Sequence, residues 1–224
     1  MKKRTFTRVI IYITGLCVLA FGLTLSTKAD LGVSPIIAIS FSVSQLTGAR
    51  FGDTTFLLYA AFVLIEIVLH LLPGKRSPRD RKKAVLVDIS QLLLSYVFTM
   101  FLNVLSARIP AAGSIAARVA VLLASVALVG TGAAVTLDMR LIANPGDGLV
   151  QAISDRSGIS LGLTKNLVDI TCVTITCITT LAIEHHIIGV GIGTVVAMLG
   201  IGRVIALVNN TFGKHLIKIA GVEN

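Results

Sequence analysis

The sequence predicts an all-α polytopic membrane protein, in which six transmembrane helices form two inverted three-helix repeats, each with a short re-entrant half-helix. Three observations predict this fold class: the composition is strongly apolar, two distant segments share one pattern, and basic residues are distributed unevenly along the chain. The hydrophobic fraction is 54%, the mean hydropathy is +0.90 and only 14% of the residues are charged. Soluble domains carry far more charge.

Six charge-poor runs are long enough to cross the hydrocarbon core, which takes about 20 apolar residues in a helix. The first run follows a basic N-terminal segment, but it is longer than the apolar part of a signal peptide and no A-x-A site closes it, so we expect a retained helix. The predicted spans are Val9–Thr27, Thr54–Leu72, Ala84–Ala107, Val119–Leu137, Leu167–Ile183 and Ile187–Val208.

The chain is predicted to be a tandem duplication with an offset of 110 residues. The repeats would cover residues 1–110 and 111–224 and form one membrane domain. Without a gap, this offset aligns nine pairs of identical residues: Arg8 with Arg118, Gly22 with Gly132, Leu31 with Leu141, Pro35 with Pro145, Ser44 with Ser154, Gly48 with Gly158, Gly52 with Gly162, Thr54 with Thr164 and Leu57 with Leu167.

Each copy contains a short apolar segment that opens with a polar residue and a proline, Ser34-Pro35 in the first and Asn144-Pro145 in the second. Serine and asparagine are good helix N-caps, and proline is favoured at the first helical position. We expect half-helices over residues 34–47 and 144–157. A dozen residues reach only about 18 Å, too short to span the bilayer. The alternative is that proline and glycine merely turn the chain at the membrane interface.

The distribution of basic residues decides between two topologies. If the short segments are re-entrant and the N-terminus is inside, fifteen Lys and Arg residues lie on the inner side and four on the outer side. If both segments crossed, the counts would be eleven and eight. The first topology gives each repeat three spans, so the second copy enters from the opposite face. Its inner side includes a predicted loop with Lys75, Arg76, Arg79, Arg81, Lys82 and Lys83, at which anionic lipid headgroups would lie.

The paired half-helices are the predicted functional site. The N-terminus of a helix carries partial positive charge and unpaired N–H groups, so two facing N-termini would favour an anion or a carbonyl. The second copy is the more polar: Asp147 and Gln151 are four residues apart on one helix face, with Asn144 capping its end. We expect these three residues to line a solute pocket opposite Ser34, with Arg140 as the nearest basic residue in sequence.

Ionisable residues within the spans are the second group of candidates, because a charge at the bilayer centre costs a few kcal/mol unless it is paired or hydrated. Glu66 and Asp169 are expected near the pocket, either as binding residues or as structural partners of Ser, Thr or Gln91. Asp88 and Arg203 are expected to reach the cytoplasmic headgroups or water.

Other function classes find little support in the sequence. No Ser/His/Asp or HExxH arrangement occurs, so we expect no enzymatic activity, no cofactor and no metal. The glycine-rich run from Gly189 to Gly193 is predicted to lie in a membrane helix as a close-packing face, and not to bind a dinucleotide. The net charge of +9 follows from membrane topology, so no nucleic acid partner is expected.

The segments Lys28–Ile36 (KADLGVSPI) and Asn144–Leu149 (NPGDGL), with the six predicted spans and a basic loop after the second, resemble the YczE/YyaS/YitT family of bacterial integral membrane proteins. The resemblance implies a bacterial plasma-membrane location, and it names no substrate. Two functions stay open: a small-solute transporter or channel, and a membrane-embedded binding or accessory subunit, similar to the capture subunits of energy-coupling-factor transporters. The expected partners are the lipid bilayer, an unknown small solute, and either further copies of the chain or a partner subunit.

Overall fold

A computed structural model describes residues 2–72 and 78–222, and within these ranges the chain is helical with no strand. The helices are α1 (Lys2–Ala29), α2 (Pro35–Thr47), α3 (Phe51–Leu71), α4 (Pro78–Arg108), α5 (Ile115–Asp138), α6 (Pro145–Ser157), α7 (Leu161–Glu184), α8 (Ile192–Val208) and α9 (Lys214–Ala220). A π-helical turn, Asn209–Gly213, joins α8 to α9.

Six helical segments in the described part of the chain are long and apolar enough to cross a membrane, which confirms the six predicted spans. They are Thr5–Ala29, Phe51–Leu71, Lys82–Arg108, Ile115–Asp138, Leu161–Glu184 and Ile192–Ala220. Large apolar side chains such as Leu93 and Ile192 are exposed on the outside of the bundle, as expected for a surface in contact with lipid.

Three predicted span boundaries differ from the structure by five residues or more: the starts of the fifth and sixth spans, and the end of the sixth, which extends beyond Val208 to Ala220. The fifth span begins at Leu161 instead of Leu167, because the polar residues Thr164 and Lys165 continue the helix instead of preceding it. The sixth begins at Ile192 instead of Ile187, because Gly189 takes a φ of +81° and interrupts the helical backbone.

The glycine-rich run from Gly189 to Gly193 is consequently not helical throughout, contrary to the prediction. It forms the entry loop of α8 and packs on the loop before α2, where Val33 N donates to Gly189 O at 2.9 Å and Gly193 N donates to Leu31 O at 2.7 Å. A Cβ on Gly191 would lie 2.6 Å from Leu31 O. The prediction of close packing holds for this run, although the contact is between two loops.

The predicted basic loop between the second and third spans is also partly helical. Arg79, Arg81, Lys82 and Lys83 lie in the first turns of α4, which begins at Pro78. Lys75 and Arg76 lie outside the described residues.

The two short helices have the predicted bounds. Both contain 13 residues with proline in the first turn, and each ends at a glycine in the left-handed region, with φ of 70° at Gly48 and 74° at Gly158. A side chain would strain either position, since only glycine adopts such angles at no cost. At 1.5 Å per residue, each helix is about 20 Å long.

Helices α1 and α5 pack against one another in antiparallel directions. A Cβ on Gly22 would lie 2.7 Å from Val129 N, and a Cβ on Gly132 would lie 2.5 Å from Leu19 N. Gly22 and Gly132 are separated by the offset of 110 residues, and so are Leu19 and Val129. The two contacts are therefore reciprocal.

The ends of the same pair of helices show a similar reciprocity. Arg8, near the start of α1, donates to the carbonyl oxygens of Met139 and Arg140 just beyond α5, both at 2.7 Å. Arg118, near the start of α5, pairs with Asp30 just beyond α1 at 3.1 Å. Each arginine thus fastens its own helix to the far end of the other.

Replacing either interface glycine by alanine should destabilise the protein to a similar extent. Gly22→Ala and Gly132→Ala each force a methyl group against the backbone of the facing helix, which costs about 1–3 kcal/mol in a packed interior. Gly202→Ala in α8 is the control, because its added Cβ meets nothing within 4 Å. Thermal melting in detergent checks this, and unchanged melting of both interface variants would contradict the packing.

Candidate functional site

A cavity of about 680 Å³ lies where the N-termini of α2 and α6 meet the long helices. This volume is typical of small-molecule sites. Five of the six predicted site residues line the cavity: Ser34, Asn144, Asp147, Gln151 and Asp169. The sixth, Glu66, does not. The walls are mostly apolar, with contributions from α1, α5 and α8.

The contacts among α2, α3, α6 and α7 create this geometry. Each short helix packs on the long helix that follows the other short helix: α2 lies against α7, and α6 lies against α3. The side chains Ile37 of α2, Tyr59 of α3 and Leu149 of α6 are buried together in the central hydrophobic core. The starts of the two short helices are thereby held at one cavity.

Asn144 caps α6 as predicted, whereas Ser34 does not cap α2. Asn144 Oδ1 accepts from Gly146 N at 3.0 Å, and Asn144 O accepts from the N–H groups of Asp147 and Gly148. Ser34 occupies the N-cap position without a side-chain capping bond. The expected unpaired N–H groups at the start of α6 are therefore satisfied within the chain, and side chains supply the polar surface of this end of the cavity.

Asn144→Ala should destabilise the protein, and Ser34→Ala should not. Loss of an N-cap side chain typically costs about 1 kcal/mol. Asn144 also forms a side-chain hydrogen bond with the buried Tyr59, so its removal leaves that hydroxyl without this partner. Ser34→Ala is the matched control at the equivalent position of α2. Chemical unfolding of the two variants measures the difference, and equal stabilities would contradict the asymmetry of the caps.

The basic residue that shares the cavity with Asp147 is Lys165, and not Arg140 as the sequence suggested. Lys165 lines the cavity and acts electrostatically on Asp147, while Arg140 is absent from the cavity wall. Lys165 Nζ also donates to Asp169 Oδ1 one turn further along α7. The side chain of Asp169 is buried, and the side chain of Lys165 is about one-third exposed.

Gln151 lies at the exposed edge of the cavity. Its Nε2 donates to Asp155 Oδ1 at 2.7 Å, four residues further along α6. Asp147 is partly buried one turn earlier on the same face. The prediction that Asp147 and Gln151 share a face is confirmed, with Asp147 deeper in the protein.

Three polar residues of the cavity wall escaped the sequence analysis: Tyr59, Lys165 and Asn166. Lys165 stands four residues before Asp169, a spacing that places opposite charges together on a helix, and this signal was present in the sequence. It was missed because Lys165 was assigned to a loop. Tyr59 gave no comparable signal, since an aromatic residue within an apolar span is usually a core residue.

Glu66 lies on the other side of α6 from the cavity. Its carboxylate contacts the backbone at Gly148, where a Cβ would lie 2.7 Å from Oε2. Gln91 Nε2 of α4 donates to the same Oε2 at 2.8 Å. The alternative that Glu66 is a hydrogen-bond partner of Gln91 is thus confirmed.

Asp88 does not reach the headgroups, contrary to the prediction. It is buried between α3 and α4, with its Oδ2 atom 2.7 Å from His70 Nδ1. The hairpin of α3 and α4 brings the end of one helix beside the start of the other, a pairing that sequence spacing alone did not suggest. Arg203 is exposed near the middle of α8.

Comparison with known proteins gives two matches. Residues 6–210 match a protein family described as a family of unknown function, DUF6198. The chain is also 27% identical over 172 residues to the uncharacterized membrane protein YczE of Bacillus subtilis (strain 168), covering 76% of this chain and 74% of that protein. No solved structure matches. With six segments able to cross a membrane and a family match over most of its length, the chain belongs to the DUF6198 family of YczE-type membrane proteins.

Proposed function

We propose that the protein is a bacterial inner-membrane transporter or channel for a small solute, with its binding site between α2 and α6. The observation that carries this proposal is the cavity, because it collects the starts of both short helices and three charged side chains in a chain of six membrane spans. Many secondary transporters build their central binding sites from such half-length helices within the membrane.

The reciprocal contacts between α1 and α5 support inverted repeats. Equivalent helices that pack antiparallel, with each contact matched by its counterpart 110 residues away, are related by a two-fold axis perpendicular to the helices. In a membrane protein, that axis lies in the membrane plane. We therefore propose that α2 and α6 enter the membrane from opposite sides without crossing it.

The charges in the cavity favour a solute with a cationic or hydrogen-bond-donating group. Two carboxyl side chains, Asp147 and Asp169, line the cavity with one amine, Lys165, and Lys165 is paired with Asp169. Asp147 also occupies the first turn of α6, where its carboxylate compensates the partial positive charge of that helix end. An anionic solute would have to compete with this carboxylate, whereas an amine would pair with it.

The proposed topology places both termini and the segment after α3 in the cytoplasm. Single cysteines in a background without Cys17, Cys172 and Cys177 test it. Ser77→Cys should resist a membrane-impermeant maleimide added to intact cells. His185→Cys should react, because His185 follows the end of α7, and the proposed topology assigns this end to the outer side. Labelling at position 77 from outside would overturn the inverted arrangement.

The competing function is a membrane-embedded binding or accessory subunit that needs a partner. Size and helix number suit both functions, and transport by the purified chain separates them. Proteoliposomes loaded with a mixture of bacterial small metabolites should lose at least one of them selectively, relative to protein-free liposomes, as measured by mass spectrometry. Retention of every metabolite under both inward and outward proton gradients would favour the accessory role.

A further inference from the structure

Among the residues that the structure describes, three acidic side chains are almost completely buried in the helix bundle, and two of them have a basic partner. Glu66, Asp88 and Asp169 have exposures of 1%, 2% and 3%. Asp169 pairs with Lys165 and Asp88 pairs with His70. None of the ion pairs between described residues includes Glu66. A bare carboxylate at this depth would be an uncompensated charge in a low-dielectric environment.

Polar atoms of Glu66, and of Gln91 and Ser95 on α4, are buried without hydrogen-bond partners among the described residues. Within the described part of the chain, no partner reaches Glu66 Oε1, Gln91 Oε1 or Ser95 Oγ, although all three atoms are buried. Gln91 and Ser95 are four residues apart and lie on the same face of α4. Both oxygens of an ionised carboxylate and the oxygen of an amide only accept hydrogen bonds, so Glu66 Oε1 and Gln91 Oε1 can be satisfied only by a donor.

We infer that Glu66 is a proton-binding site in the membrane core and carries a proton at neutral pH. One added proton removes both deficits: it neutralises the carboxylate, and it turns one carboxyl oxygen into a donor for a neighbouring acceptor. A metal ion would need space of its own, whereas α6 lies so close that a Cβ on Gly148 would be 2.7 Å and 2.9 Å from the two carboxyl oxygens. A proton needs no such space.

The titratable groups around Glu66 come from the three helices that pack against or contain it. Asp88 of α4 acts electrostatically on Glu66. His70 lies one turn further along α3, in its last turn, and is hydrogen-bonded to Asp88. Asp147 of α6 immediately precedes Gly148. Helix α2 contributes no titratable side chain.

Glu66 lies behind α6, the helix whose other face lines the cavity. Ionisation of Glu66 would place a negative charge directly behind the helix that carries Asp147 into the cavity. Proton binding at Glu66 would then be linked to solute binding at Asp147, a link that rests on the proposed transport function; proton binding itself does not.

Infrared spectroscopy of the purified full-length protein tests the inference, because only a protonated carboxyl shows the carboxylic acid C=O stretching band. The chain contains three glutamates, Glu66, Glu184 and Glu223. In the double variant Glu184→Gln/Glu223→Gln, carboxyl-¹³C glutamate labels Glu66 alone. We expect a band at pH 7 that shifts with the label, weakens as the pH is raised, and is absent from Glu66→Gln in the unsubstituted background.

Absence of a label-sensitive acid band at pH 7 would overturn the inference, since Glu66 would then be ionised. A melting temperature that rises with NaCl, compared with choline chloride, in the parent and not in Glu66→Gln would identify a sodium site instead, and would equally overturn it. The labelled double variant retains Glu66, so the test does not depend on the folding of Glu66→Gln. Since no solute is required, failure here is distinct from failure of the metabolite screen.

Discussion

Asp147→Asn should abolish transport of any solute identified by the metabolite screen while leaving the folded protein intact. The substitution keeps the size of the side chain and removes the negative charge that faces the cavity, so an amine or other donor loses its main partner. Loss of a charged hydrogen bond of this kind costs about 1.5–3 kcal/mol, or a factor of ten to more than a hundred in affinity. Melting temperature and solute flux of the same preparation measure the two effects.

Asp155→Asn is the matched control on the same helix. Asp155 lies two turns beyond Asp147, outside the cavity wall, and an asparagine there can still accept from Gln151. Its flux should equal that of the parent. Gln151→Ala should weaken transport less than Asp147→Asn, because Gln151 lies at the exposed edge of the cavity. If Asp147→Asn folds and transports like the parent, the solute binds elsewhere.

Lys165→Met should cause the largest loss of stability, because it leaves the buried carboxylate of Asp169 without its cation. Removal of one partner of a buried ion pair typically costs about 3–5 kcal/mol. Because Lys165 is partly exposed, we expect a loss at the lower end of this range, about 3 kcal/mol. The double variant Lys165→Met/Asp169→Leu should recover most of this stability, since no unpaired charge remains.

Unfolding of the single and double variants in a double-mutant cycle measures the coupling between the two residues. If the loss of unfolding free energy in the double variant equals the sum of the losses in the two single variants, Lys165 and Asp169 act independently. This result would contradict the pairing. Lys165→Arg is the conservative control, because it keeps a cation at the same position.

The sequence predicted the helical skeleton accurately wherever the relevant signals are local. The Ser34-Pro35 and Asn144-Pro145 starts and the glycines Gly48 and Gly158 at the ends are fixed by capping chemistry within a few residues, so the bounds of α2 and α6 agree with the prediction. The prediction of the start of the sixth span failed for the converse reason. The sequence is apolar on both sides of Gly189, and only the backbone conformation of this glycine keeps the helix from starting earlier.

The candidate site was predictable in part. Asn144, Asp147 and Gln151 follow from the spacing on α6, and the structure places them at one cavity with Ser34 and Asp169. The partners of the buried acids depend on which helices become neighbours. His70 and Asp88 are 18 residues apart, and they meet only because α3 and α4 form a hairpin. Glu66 was expected in the pocket, but the packing of α6 on α3 places it behind that helix.

Access to the cavity from both sides of the membrane tests the transport proposal most directly, and it needs no knowledge of the solute. Met198 of α8 lines the cavity, whereas the neighbouring Leu199 does not and is exposed on the outer surface of the bundle. The measurement is the reaction of Met198→Cys, in a cysteine-free background, with a charged impermeant thiol reagent in right-side-out and in inside-out vesicles. We predict reaction in both kinds of vesicle, with Leu199→Cys unreactive in each because lipid covers it. Reaction of Met198→Cys from one side only, or from neither, would contradict a transport pathway through this cavity.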